Sequence, residues 1–124
     1  MWIFTPQGFF SIVQKQGDRR LTIRARDRQH LKDLRDQYIG SMGNITHTPD
    51  NDYPYRATAT RRAVANAMMR MTKDITYPNF KDKASHPLGA FSDPLAHAVL
   101  HRVWGAVTEL EPLVLQASRG LPLM

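Results

Sequence analysis

Arg20-Leu21-Thr22-Ile23-Arg24-Ala25-Arg26 alternates polar and apolar side chains without a break. Period two is the signature of a half-buried strand. Leu21, Ile23 and Ala25 fall on one side, and Arg20, Thr22, Arg24 and Arg26 on the other. One face is built to meet a core. The opposite face carries three arginines spaced about 13 and 7 Å apart, comparable with phosphate spacings along a nucleic-acid strand.

Toward the N-terminus, Trp2–Thr5 and Phe9–Lys15 read as strands separated by Pro6-Gln7-Gly8, and Gln16-Gly17-Asp18-Arg19 is turn chemistry. Toward the C-terminus, Asp27 caps a helix running to about Ile39, with Leu31, Leu34 and Tyr38 at helical spacing and Gly40 as terminator. A second hairpin is expected from Asn44–Thr48 and Tyr53–Thr60. Its later strand places Tyr53, Tyr55, Ala57 and Ala59 on one face, and Arg56, Thr58 and Thr60 on the other. Thr60 caps the next helix, whose stripe is Val64, Met68, Met71 and Ile75. Residues 76–92 read as a long ordered loop with room for a short strand. Ser92 or Asp93 then caps a last helix, with Pro94 in its first turn and Leu95, Val99, Val103, Ala106 and Leu110 as its core stripe. The pattern predicts an α+β domain over residues 1–111. A mostly antiparallel sheet of two hairpins carries about three helices on one face, and an apolar tail follows over 112–124.

The chain has 124 residues and no cysteine, enough for one self-sufficient core without disulfides or thiolate zinc sites. Its apolar stretches are too short for a membrane span, and the opening Met1-Trp2-Ile3-Phe4 lacks the basic flank of a signal peptide. A cytoplasmic location is expected, without membrane contact. Net charge is +6, of which residues 1–62 carry +5; Lys15–Arg35 alone holds 8 basic and 3 acidic residues. Such asymmetry points to an anionic partner, nucleic acid first.

Three constellations are candidates for function. Arg20, Arg24, Arg26 and Arg56 form the basic sheet face, and either Phe9 or Phe10 must share it, because adjacent strand residues alternate. Arginine and aromatic groups on an exposed sheet suit single-strand binding. The bland reading is a solvated face paired with carboxylates. Secondly, Asp93, His97 and His101 repeat every four residues on one helical stripe with Trp104. His97 and His101 are weak metal candidates, because no H-E-x-x-H pattern accompanies them. Two surface histidines beside a half-buried tryptophan are the stronger reading, with Trp104 marking contact with the loop, the tail or another chain, including a second copy. Thirdly, Tyr53, Tyr55, Tyr77, Asn79 and Lys81 are turn-flanked and polar enough to line a pocket, although aromatic anchoring of loops is the simpler account.

No nucleophile elbow, phosphate-binding loop or dinucleotide fingerprint occurs, so no named reaction and no cofactor is expected. Met1-Trp2-Ile3-Phe4-Thr5, Gly8-Phe9-Phe10-Ser11, Arg24-Ala25-Arg26, Asp52-Tyr53-Pro54-Tyr55-Arg56, Tyr77-Pro78-Asn79-Phe80-Lys81 and Val103-Trp104 together resemble a family of small uncharacterised bacterial proteins. The resemblance spans nearly the whole chain and implies no activity. Thr76 stands where that family's pattern has an acidic residue, and the stretch beyond Leu110 is longer. The leading expectation is a non-enzymatic module contacting nucleic acid or a nucleoprotein complex. Alternatives are a mobile-element inhibitor or adaptor bound to a host defence complex, and a small-ligand binder or enzyme.

Overall fold

The computed structural model describes residues 1–112. The anticipated tail beyond Pro112 lies outside the described residues. Five strands, β1 (Trp2–Thr5), β2 (Gly8–Val13), β3 (Leu21–Ala25), β4 (Thr46–His47) and β5 (Tyr55–Ala59), form one antiparallel sheet in the order β1-β2-β3-β5-β4. Four helices complete the α+β fold: α1 (Arg28–Gln37), α2 (Arg61–Lys73), α3 (Phe80–Ser85) and α4 (Pro94–Val107). A 3-10 turn over Thr108–Leu110 extends α4.

Alternation sorts the sheet into two faces. Phe10, Ile12, Leu21, Ile23, Ala25, Ala57 and Ala59 pack with Leu31 and Leu34 of α1 and Val64 and Ala67 of α2. Asp27 accepts the Gln29 N–H and Thr60 accepts the Ala63 N–H, which satisfies donors that the first turns leave free. At the other end of α1, Arg70 donates to the carbonyls of Gln37 and Tyr38 at 3.0 and 3.1 Å. A cation there complements the helix C-terminus and ties α2 to α1.

A second apolar cluster, Ala84, Phe91 and Leu100, joins Phe4, Phe9 and Phe80. Phe4 and Phe9 are cross-strand partners, one residue out of phase with Ile3 and Phe10. The pair α3–α4 therefore reaches the face opposite α1 and α2. It does so around the β1–β2 turn, where Ala90 N–H donates to the Pro6 carbonyl at 2.9 Å.

Three sequence expectations change here. The stretch 76–92 holds a helix, α3, capped by the Asn79 side chain on Asp82 N–H. On α4 the buried residue is Leu100, while Leu95 and Leu110 of the anticipated core stripe are 80% and 83% exposed and Val99 is also exposed. The helix meets its neighbours through Ala96, Leu100 and Val103, a stripe shifted round its axis that keeps Val103 of the anticipated set. Periodicity identified an amphipathic helix, but two apolar stripes were present and packing chose the other. Similarly, Ile75 lies beyond the end of α2 and is exposed.

Candidate nucleic-acid interface

The face of the sheet opposite α1 and α2 presents Trp2, Phe4, Phe9, Ser11, Thr22, Arg24, Arg56 and Thr58, as the ladder registers require. Arg24 stands directly opposite Arg56 on one side and Ser11 on the other. Like charges opposed across a ladder repel, so other groups must hold these two in place.

Tyr53 is the post around which they gather. Its ring lies 4.6 Å beneath the Arg24 guanidinium and 5.2 Å from that of Arg26. The Arg56 Nε donates to the Tyr53 carbonyl at 3.2 Å. Arg24 also donates to Ser11 Oγ at 2.6 Å, and its buried Nε has no acceptor among the described residues. Arg20 bonds Thr58 through the side-chain oxygen at 3.1 Å and the carbonyl at 3.3 Å. Among the described residues, the carboxylate in ion-pair range of this cluster is Asp52, 3.9 Å from Arg56 and largely exposed. All four arginines therefore share one surface and are steadied by neutral oxygens and a π-face. Exposed ion pairs contribute little to stability, so Asp52 does little to fix Arg56, and one carboxylate against four guanidinium groups leaves the cluster net positive.

Tyr53 overturns an expectation. Its ring packs 6.3 Å from that of Phe9 and faces the arginines, whereas Tyr55 stacks on His47 at 4.7 Å near the core side. The ladder begins at Tyr55, so strict alternation does not extend back through Pro54 to Tyr53. Between the two phenylalanine candidates, Phe10 is 0% exposed and is excluded from contact; Phe9 lies on the arginine side. Phe9 stacks on Phe4 at 4.5 Å and meets the edge of Trp2 at 5.8 Å. Trp2, 72% exposed, is the residue that sequence reasoning missed. Its signal was available: the Thr5↔Gly8 turn register places Trp2 opposite Ser11, hence on the arginine face.

The anticipated five-residue pocket does not assemble. Tyr53 precedes β5 and packs on the arginine side, Tyr55 opens β5, and Tyr77 and Asn79 line a shallow hollow of about 280 Å³ beside α3. Asn79 and Lys81 border another hollow, of about 250 Å³, with Phe4, Phe80, Leu100 and Trp104. The aromatic segments serve different elements, so sequence proximity to turns did not imply convergence. A larger cavity of about 420 Å³, lined by Ile3, Gln7, Met68, Met71 and Tyr77, opens between the β1–β2 turn and the C-terminal ends of α1 and α2. At its rim Tyr38 OH donates to Asp74 at 2.6 Å. Burial, then that hydrogen bond and the Asp74 charge, push the Tyr38 hydroxyl up to about 12.

Trp104 is 54% exposed, with Lys81 Nζ 4.3 Å from its ring centre and His101 stacked at 5.6 Å. His101 Nδ1 pairs with Lys81 Nζ at 3.4 Å, and His97 Nδ1 with Ser85 Oγ at 2.6 Å. The two histidines thus have separate partners on α3. Among the described residues, no three His, Cys, Asp or Glu side chains come together as a metal site.

No family model, curated protein or solved structure matches the chain. Among the described residues, no helix is long and apolar enough to cross a membrane.

Proposed function

We propose that the arginine face binds the phosphate backbone of a nucleic acid, free or within a nucleoprotein complex, and that the protein is a binding module without catalysis of its own. The observation that carries this reading is the gathering of Arg24, Arg26 and Arg56 about Tyr53 with one exposed carboxylate in range. Like charges held together concentrate positive potential, and an anionic partner relieves their mutual repulsion on binding. Arg20 extends the basic row along the sheet, and the exposed Trp2 flanks it. Fluorescence anisotropy with a labelled oligonucleotide at rising salt tests the proposal. Each phosphate neutralised on a single strand contributes a log–log slope of about −0.7. Affinity that stays flat with salt, or no affinity, removes it.

A second reading rests on α4. Leu95 and Val99 on α4, with Leu110 in the 3-10 turn that extends it, expose apolar surface while the other side of the helix is packed, which suits a protein partner, as an adaptor or inhibitor of a host complex requires. Capture of a defined protein that persists after nuclease treatment, and is lost on L95K/V99K substitution, favours this second reading over the first.

A further inference from the structure

We propose that the hollow between α3, α4 and β1 is a slot for one unpaired base of a single-stranded nucleic acid whose backbone lies on the arginine face. The slot rests on the preceding reading and narrows it to single strands.

Aromatic continuity is the first ground. Tyr53, Phe9 and Phe4 follow one another at ring separations of 6.3 and 4.5 Å, leading away from Arg24. Phe4 then forms a wall of the α3–α4 hollow, whose other sides include Phe80, Leu100 and Trp104. One side chain thus belongs both to the ring stack beside the arginines and to the hollow. Its volume, about 250 Å³, lies below the range of drug-sized pockets and suits a single planar ring system.

Charge is the second ground. Lys81 borders the hollow and stands over Trp104, adding a cation at the end of the path remote from the arginines. A strand entering over Arg24 and Arg56 would meet a phosphate partner again there. Hydrogen-bonding capacity is the third. Asn79 spends its Oδ1 on the Asp82 N–H, which leaves its amide NH2 to donate toward a base edge. Bases stacked on aromatic side chains are the commonest device for single strands, whereas a duplex keeps its bases inside.

The chain contains two tryptophans, so Trp2→Phe leaves Trp104 as the reporter. In that background four probes are titrated: oligo(dT), oligo(U), an abasic oligodeoxynucleotide of equal length, and inorganic polyphosphate. Bases in the slot should quench Trp104 fluorescence with oligo(dT) or oligo(U). The abasic strand and polyphosphate should bind the arginines without quenching. Trp104→Ala should weaken oligonucleotide binding roughly ten-fold while sparing polyphosphate, and Trp104→Phe should retain most of the affinity. Equal binding of abasic and base-bearing strands, with Trp104 unchanged, overturns the slot and leaves the backbone reading standing. Failure of all four probes to bind overturns both.

Discussion

Arg24 and Arg56 are direct cross-strand neighbours on β3 and β5, and the groups that hold them are the ring and carbonyl of Tyr53. The pair is a local liability: opposed like charges cost up to about 1 kcal/mol relative to neutral residues. Cation–π contact offsets about 0.5–1 kcal/mol of that where water still reaches the site. The arrangement is close to neutral for stability, while it concentrates positive charge.

Arg56→Gln should therefore separate binding from folding. Relief of repulsion offsets loss of the 3.2 Å bond to the Tyr53 carbonyl, so the melting temperature should move by only a few degrees. Oligonucleotide affinity should fall, and the magnitude of the salt slope should shrink by about 0.7. Thermal denaturation and anisotropy on the same sample check both halves. Unchanged affinity and slope would remove Arg56 from the interface.

Gly8 should tolerate no side chain. Its φ of +151° is one that L residues rarely adopt, and a Cβ built there would lie 2.2 Å from His30 Cγ. Backbone strain of this kind costs about 1–3 kcal/mol, to which the clash adds. Gly8→Ala should lower the urea midpoint with little change in slope. A wild-type midpoint would show that His30 moves aside freely.

Acid should weaken the β2–α1 contact through His30. The imidazole Nδ1 accepts the Phe9 N–H at 3.3 Å, and the ring packs 5.7 Å from Phe91. Burial lowers its pKa below the ordinary 6.5, and the charges of Asp27 and Asp33 oppose that shift only in part. A base with a depressed folded pKa binds fewer protons folded than unfolded near that pH. Its stabilising contribution is thus complete above pH 6.5 and declines as pH falls below it. Melting temperatures measured from pH 7.5 to 5.5 should drop, and His30→Gln should flatten that drop. An identical pH profile in the variant would assign the effect to other groups.

Phe9 and Phe10 should diverge when each is replaced by alanine. Phe10 is fully buried among core residues, so its truncation should cost about 3–5 kcal/mol. Phe9 is half-buried on the arginine face, and Phe9→Ala should cost less stability but lose oligonucleotide affinity. Denaturation and binding curves for the two variants should cross over. A larger stability loss for Phe9 than for Phe10 would contradict the register of β1 with β2.

Much of the fold was legible because it depends on local rules. The caps at Asp27, Thr60 and Asp93 bond the first-turn N–H groups as their side-chain chemistry predicts. The alternation of residues 20–26 sorted core from arginine face, because period two leaves one solution once a core side exists. The site was half legible. The alternation marks the candidate arginines, but Tyr53 lies before the β5 ladder, where alternation gives no face, and the apolar run of β1 does not itself say which of its faces carries Trp2.

The order of residues alone determined the main strands, the starts of α1, α2 and α4 and the charge asymmetry, which follow from short-range sterics, capping, periodicity and composition. Tertiary packing decided which side of α4 is covered, that Tyr53 turns toward Arg24, and that Phe4 connects the sheet to the α3–α4 hollow. Those outcomes depend on which surfaces meet across the chain, and a residue's own neighbours in sequence carry no record of that choice.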